Sequence, residues 1–190
     1  FKGFSGKWSS DMVRELQRSH QVEYVEPQRI LRVAGEQATS PSSWGLARIS
    51  PSSHAHPDGA GAGIDIWIID TGIMTAHPEF EGRARMSANF VAGEDTADLH
   101  GHGTHVAGIA GSMTYGVAKK ASLIGVKVLD GQGAGSEADV IAGIQHAVQT
   151  ARRGKSVINL SMSGTKSRAI DDAVNAAVAA GFPLVVAAGN

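Results

Sequence analysis

Three histidines, His100, His102 and His105, fall within six residues of the stretch Leu99-His100-Gly101-His102-Gly103-Thr104-His105-Val106-Ala107-Gly108. Small apolar residues follow at once, so the stretch reads as a loop entering a buried helix with imidazoles at its mouth. Such a cluster has three chemical uses. As a metal site, His100-x-His102-x-x-His105 resembles the His-x-His-x-Asp-His spacing of some zinc hydrolases. Thr104 stands where that pattern has Asp, however, and His146, the only later histidine, falls in the body of a predicted helix. Zinc needs three or four ligands, and the further ones are not apparent. As a general base, an imidazole needs a partner that fixes its tautomer. Asp70 is a candidate, because it closes the apolar run 64–69, where a carboxylate costs several kcal/mol unless it is paired or hydrogen-bonded. By accepting from one ring nitrogen it would leave the other able to take a proton. The third use is structural, with Asp70 as a cap for the turn Thr71-Gly72.

The elements that must position these residues follow from the pattern. At 190 residues the chain can bury one ordinary core. A formal net charge of -1 implies no polyanionic partner, so no nucleic acid is expected. No apolar run reaches the roughly 18 residues of a membrane span, so no membrane partner is expected. The absence of cysteine removes disulfides and thiolate metal sites. Residues 1–34 read as one helix capped by Ser9 or Ser10 with Met12, Val13 and Leu16 apolar, an alternating strand over 22–26, and an extended piece at Ile30, Leu31 and Val33. Residues 35–43 are small and polar, as in a linker.

From residue 44 the pattern becomes regular. Strands are expected over 64–69, 83–91, 123–129, 157–160 and 184–188. Helices are expected over 101–111, from the Ser136 cap to a stop at Gly154, and from Ser167 to Gly181. This alternation predicts an α/β fold, a parallel sheet flanked by helices. Function in such sheets gathers beyond the carboxyl ends of the strands. Those ends fall at Asp70, at 133–135, at 161–164 and at Gly189-Asn190, and all are polar or glycine-rich.

Three motifs in order, Asp70-Thr71-Gly72-Ile73, Gly101-His102-Gly103-Thr104-His105-Val106-Ala107-Gly108 and Ala187-Ala188-Gly189-Asn190, resemble the signatures of subtilisin-like serine proteases, the subtilases. Trp44-Gly45-Leu46-Ala47-Arg48-Ile49-Ser50, His77-Pro78-Glu79-Phe80, Tyr115-Gly116-Val117-Ala118 and Gly125-Val126-Lys127-Val128-Leu129-Asp130 resemble the fungal proteinase K branch. The resemblance runs from about residue 44 to 190. It implies a serine endopeptidase in which Asp70 is the triad carboxylate, His102 the general base and Asn190 the side-chain donor to the oxyanion. It also implies that Gly133, Ala134 and Gly135 on one side, and Ser161, Met162, Ser163 and Gly164 on the other, bracket an extended polypeptide substrate. The family usually has glycine where Ser163 stands, so a narrower primary pocket is expected.

Phe4-Ser5-Gly6 and Val22-Glu23-Tyr24-Val25-Glu26-Pro27 resemble the end of the inhibitor-type propeptide of subtilases. The implied organisation is part of an α+β propeptide domain over 1–34, a linker over 35–43 with a processing site near 34–38, and the first part of the peptidase domain over 44–190. A secreted, monomeric zymogen is implied, with its own propeptide as inhibitor and with no metal or other cofactor claimed. The sequence also departs from the family in its nucleophile: no Gly-Thr-Ser-Met-Ala segment bearing it occurs. The chain is therefore expected to be a fragment with an incomplete fold, inert alone. The alternative is a non-catalytic protein, a truncated pseudoprotease or propeptide-type inhibitor.

Overall fold

A computed structural model of the chain describes residues 2–33, 49 and 59–189. The linker expected at 35–43, most of the stretch 44–50, the processing region expected at 34–38 and Asn190 lie outside the described residues. In chain order the elements are α1 (Ser10–Arg18), β1 (Ile30–Val33), β2 (Asp65–Asp70), a short 3-10 turn (Pro78–Phe80), β3 (Ala84–Asn89), α2 (His102–Gly111), β4 (Ser122–Lys127), β5 (Ala134–Ser136), α3 (Glu137–Thr150), β6 (Ser156–Leu160), β7 (Met162–Ser163), α4 (Arg168–Ala179) and β8 (Leu184–Val186).

The central strand is β2. Its run of Ile and Trp is apolar on both faces, as a parallel strand covered on both sides requires. It pairs in parallel with β4 and β6, and β3 and β8 complete the order β3-β4-β2-β6-β8. Side chains of β2 alternate between two layers. Trp67 and Ile69 join Val140, Ile144, Ala173 and Ala177 in the core beneath α3 and α4. Ile66 and Ile68 pack with Phe80, Ala107 and Leu123 on the α2 side. Asp70 shares the parity of Ile68 and is delivered to the α2 side. On β4, Lys127 shares the parity of Leu123 and arrives on that same side. The architecture is α/β, with helices on both faces of a parallel sheet. At its margin β8 pairs with β6, and Val185 and Val186 are 55% and 57% exposed.

Several boundaries differ from the sequence expectation for local reasons. The strand expected over 64–69 sits one residue later, so Asp70 is its last member. β4 ends at Lys127 because the N–H groups of Val128 and Leu129 both turn to the Asp70 carbonyl. β3 is shorter than 83–91 and carries a register shift between Met86 and Ala88. α3 stops at Thr150, and Gly154, at φ +73°, serves the following turn instead of the helix end.

The N-terminal residues also depart in part. Ser9 caps α1 by accepting from the Met12 N–H, as expected, and Asp11 pairs with Arg14, but none of the helix's residues is buried. The alternating run 22–26 forms no strand. Alternation needs a ladder partner, and among the described residues this run has none; its side chains dock on a helix end instead. The Glu26 carboxylate accepts from the N–H groups of Arg168 and Ala169 at 3.2 and 2.9 Å, where the dipole of α4 favours a negative charge. The Tyr24 hydroxyl donates to Asp172 at 2.8 Å, and Arg168 lies 4.2 Å over its ring. Burial, reinforced by Asp172, pushes the Tyr24 phenol up to about 12, so it remains a donor across the neutral range.

After this anchor β1 runs antiparallel between β5 and β7, forming a second sheet in the order β5-β1-β7. Leu31 faces Gly135, Arg32 faces both Ala134 and Ser163, and Val33 faces Met162.

Candidate active site

The three histidines go to three different surroundings. His102 is buried as the first residue of α2, His100 is half-buried beside it, and His105 is exposed one turn on. Among the described residues no group of three His, Asp or Glu side chains converges as metal ligands would. The partner of His102 is Asp70, which is wholly buried: His102 Nδ1 lies 2.8 Å from Oδ1 and 3.0 Å from Oδ2. Donation from Nδ1 to this carboxylate leaves Nε2 as the proton acceptor. The Thr71 N–H holds the same carboxylate at 2.7 Å, fixing its plane.

The helix can approach the strand this closely because Gly103 has no side chain. A Cβ there would stand 2.1 Å from the Gly72 carbonyl oxygen and 3.2 Å from Asp70 Oδ1. Gly101 starts the helix at φ +92°, a left-handed conformation that costs glycine little.

Gly101 has no side chain to cap the helix, and Asp98 does that work. Its carboxylate accepts from the N–H groups of His100, Gly101 and Thr104 at 3.2, 2.8 and 2.9 Å, and from the hydroxyls of Thr104 and Thr71 at 2.5 and 2.8 Å. The Thr71 hydroxyl accepts in turn from the Gly103 N–H at 2.9 Å. Thr71 therefore joins the Asp70 turn to the helix that carries His102. Partial burial raises the Asp98 pKa, but the Thr104 hydroxyl, the Gly101 and Thr104 amides and the Thr71 hydroxyl outweigh it, and the net shift is downward. A depressed folded-state pKa contributes stability that is present above the ordinary value of about 4 and is lost as pH falls through the folded value. We expect Asp98→Asn to destabilise the whole protein at neutral pH, with the gap from wild type closing below about pH 4. A gap independent of pH in parallel denaturant titrations would contradict this role.

Sequence reasoning missed Asp98 and Lys127. A signal existed for each: an acidic residue three positions before a glycine helix start, and a lone charge within the apolar run 123–129.

The residues expected to bracket a substrate overlap two short strands, β5 with 133–135 and β7 within 161–164, one on each side of β1. The Val33 N–H donates to the Gly133 carbonyl at 3.0 Å. Leu31 is 9% exposed and packs in the larger core with Leu160 and Met162. A Cβ on Gly164 would stand 3.3 Å from Leu31 Cγ, and one on Gly133 3.0 Å from His100 Nε2 and 3.1 Å from Val33 Cγ2. Gly135 has a different reason from the one its position suggests: its Cβ would meet the Val128 carbonyl oxygen at 2.2 Å, on the inner side. Ser163 is exposed, and Ser161 bonds to the Asn159 side chain at 3.0 Å.

Residues 61–190 match the model of the subtilase family. The chain belongs to the subtilase family. This subtilase is 42% identical over 203 residues to the subtilase-type proteinase psp3 of Schizosaccharomyces pombe, with 100% of the chain and 45% of that protein covered. It is 43% identical over 199 residues to the cuticle-degrading protease of Metarhizium anisopliae, covering 100% and 51% of the two. Among solved structures it is similar to a cold adapted subtilisin-like serine proteinase, with a TM-score of 0.73 and 40% identity over 80% of this chain and 57% of that one. The subtilase sequence thus spans about half the length of the curated relatives it matches. No helix among its described residues is long and apolar enough to cross a membrane.

Proposed function

We propose that the whole protein is a secreted serine endopeptidase and that this chain supplies its proton-transfer pair and much of its substrate cleft. The observation that carries this is the 2.8 Å Asp70–His102 contact at the carboxyl end of β2 in a subtilase chain. His102 Nε2 takes the proton of a serine hydroxyl as the oxygen attacks the scissile carbonyl. The resulting imidazolium, stabilised by Asp70, then gives that proton to the leaving amine. Asn190 is assigned to the oxyanion, where one donor contributes about 2.7–4 kcal/mol in subtilisin. Water attacks the acyl-enzyme by the same relay in reverse.

The serine belongs to a part of the protein outside this sequence, so this polypeptide by itself forms no acyl-enzyme. Residues 1–34 act as the inhibitory propeptide: β1 lies between β5 and β7 as a substrate strand would, drawing affinity from main-chain hydrogen bonds. Processing takes place near residues 34–38.

A serine-directed phosphonylating or sulfonylating reagent is expected to abolish peptidase activity of the whole protein, with one label per molecule, while a chelator acts slowly if at all. Rapid loss to chelator without serine labelling would overturn the proposal.

A further inference from the structure

Lys127 is the one lysine whose side chain is fully buried among the described residues. Desolvating an ammonium costs several kcal/mol unless all of its donors are used. Here two donors are hydrogen-bonded and the charge is paired: Nζ donates to the carbonyls of Thr71 at 2.8 Å and Ala97 at 3.1 Å, and forms an ion pair with Glu94 Oε2 at 3.0 Å. Glu94 is fixed in turn, since its Oε1 accepts from the Gly131 N–H at 3.0 Å. The Gly131 and Lys127 contacts together hold the Glu94 carboxyl below the ordinary range.

The two carbonyls belong to the two segments that set the Asp70–His102 geometry. Thr71 follows Asp70, and its amide and hydroxyl hold the Asp70 carboxylate and the Gly103 amide. Ala97 precedes Asp98, the carboxylate that caps the His102 helix. Lys127 itself is the parallel register partner of Asp70. If burial alone mattered, a methionine of similar length would fill the site without the desolvation cost. We propose that Lys127 is a positioning residue for proton transfer: its ammonium clamps the Asp70–Thr71 turn to the Glu94–Asp98 loop, and Glu94 holds the ammonium in place. This rests on Asp70 and His102 being the proton-transfer pair.

The test compares wild type, Lys127→Met and Glu94→Gln in the whole protein, with rates expressed per active site counted by serine-directed labelling. For Lys127→Met we expect kcat per labelled site to fall about tenfold or more with KM within about twofold, because small misplacements cost that much. The low-field proton resonance of His102 Nδ1–H should shift or broaden in parallel. Glu94→Gln is expected to move both readouts in the same direction by less. A drop in thermal stability alone, with kcat per labelled site and the resonance unchanged in both variants, overturns the proposal. If Lys127→Met yields no folded protein, Glu94→Gln decides it on the same two readouts. Absence of labelling and of peptide hydrolysis in wild type would instead refute the protease reading, while the resonance would still report whether Lys127 sets the Asp70–His102 contact.

Discussion

Replacing His102 by alanine in the whole protein is expected to lower kcat by about 10⁶, and replacing Asp70 by asparagine by about 10⁴, with KM little changed. These magnitudes are those found in subtilisin and related triad enzymes. The two differ because the groups do different work. Without His102 nothing accepts the serine proton. Without the Asp70 charge the imidazole remains, but Nδ1 loses the acceptor that selects its tautomer, and the imidazolium loses its counter-charge. Asp70 is wholly buried and receives Nδ1 at 2.8 Å, so little solvent is available to substitute. The two losses should not add, since Asp70 acts through His102: the double variant is expected to be no slower than His102→Ala alone. Initial rates on a chromogenic peptide, normalised to folded protein, measure all three. An Asp70→Asn enzyme within tenfold of wild type would sink the assignment.

The second large effect concerns β1, the strand between β5 and β7. Supplied as a separate peptide to the processed whole enzyme, residues 1–34 should inhibit competitively, and Leu31→Asp should raise the inhibition constant at least about 100-fold. Burying a leucine side chain contributes roughly 2 kcal/mol, and forcing a carboxylate into that apolar site costs more; each 1.4 kcal/mol is tenfold. Leu31 is 9% exposed against Leu160 and Met162. Arg32 points the other way and is exposed, so Arg32→Ala is the control and should change inhibition only a few-fold. Equal effects of the two substitutions would mean that the peptide binds without the β5-β1-β7 register.

Much of this site was legible in the chain itself. A β-branched run ending in aspartate gave a buried strand with a carboxylate at its tip. A glycine-spaced imidazole cluster gave a helix start. Parallel topology then brings the two ends to one side of the sheet. The exact partner was less accessible: the choice of His102 over His100 or His105 depends on which residue opens α2, and that depends on the Asp98 cap. Lys127 was hidden because a lysine in a strand ordinarily marks a solvated face, and only the tertiary positions of the Thr71 and Ala97 carbonyls and the Glu94 carboxylate make burial tolerable. The run 22–26 failed for the opposite reason. Its alternation is genuine, but pairing requires a second strand, and the local pattern carries no information about whether one is at hand.

The outer margin of the main sheet has a bearing on how the chain must be handled in the cell. Only one side of β8 is laddered among the described residues, and Val185 and Val186 stand open beside it. An open, apolar strand edge of this kind is a template for further strands, whatever their source. Until a further strand pairs with it, such an edge exposes the chain to self-association.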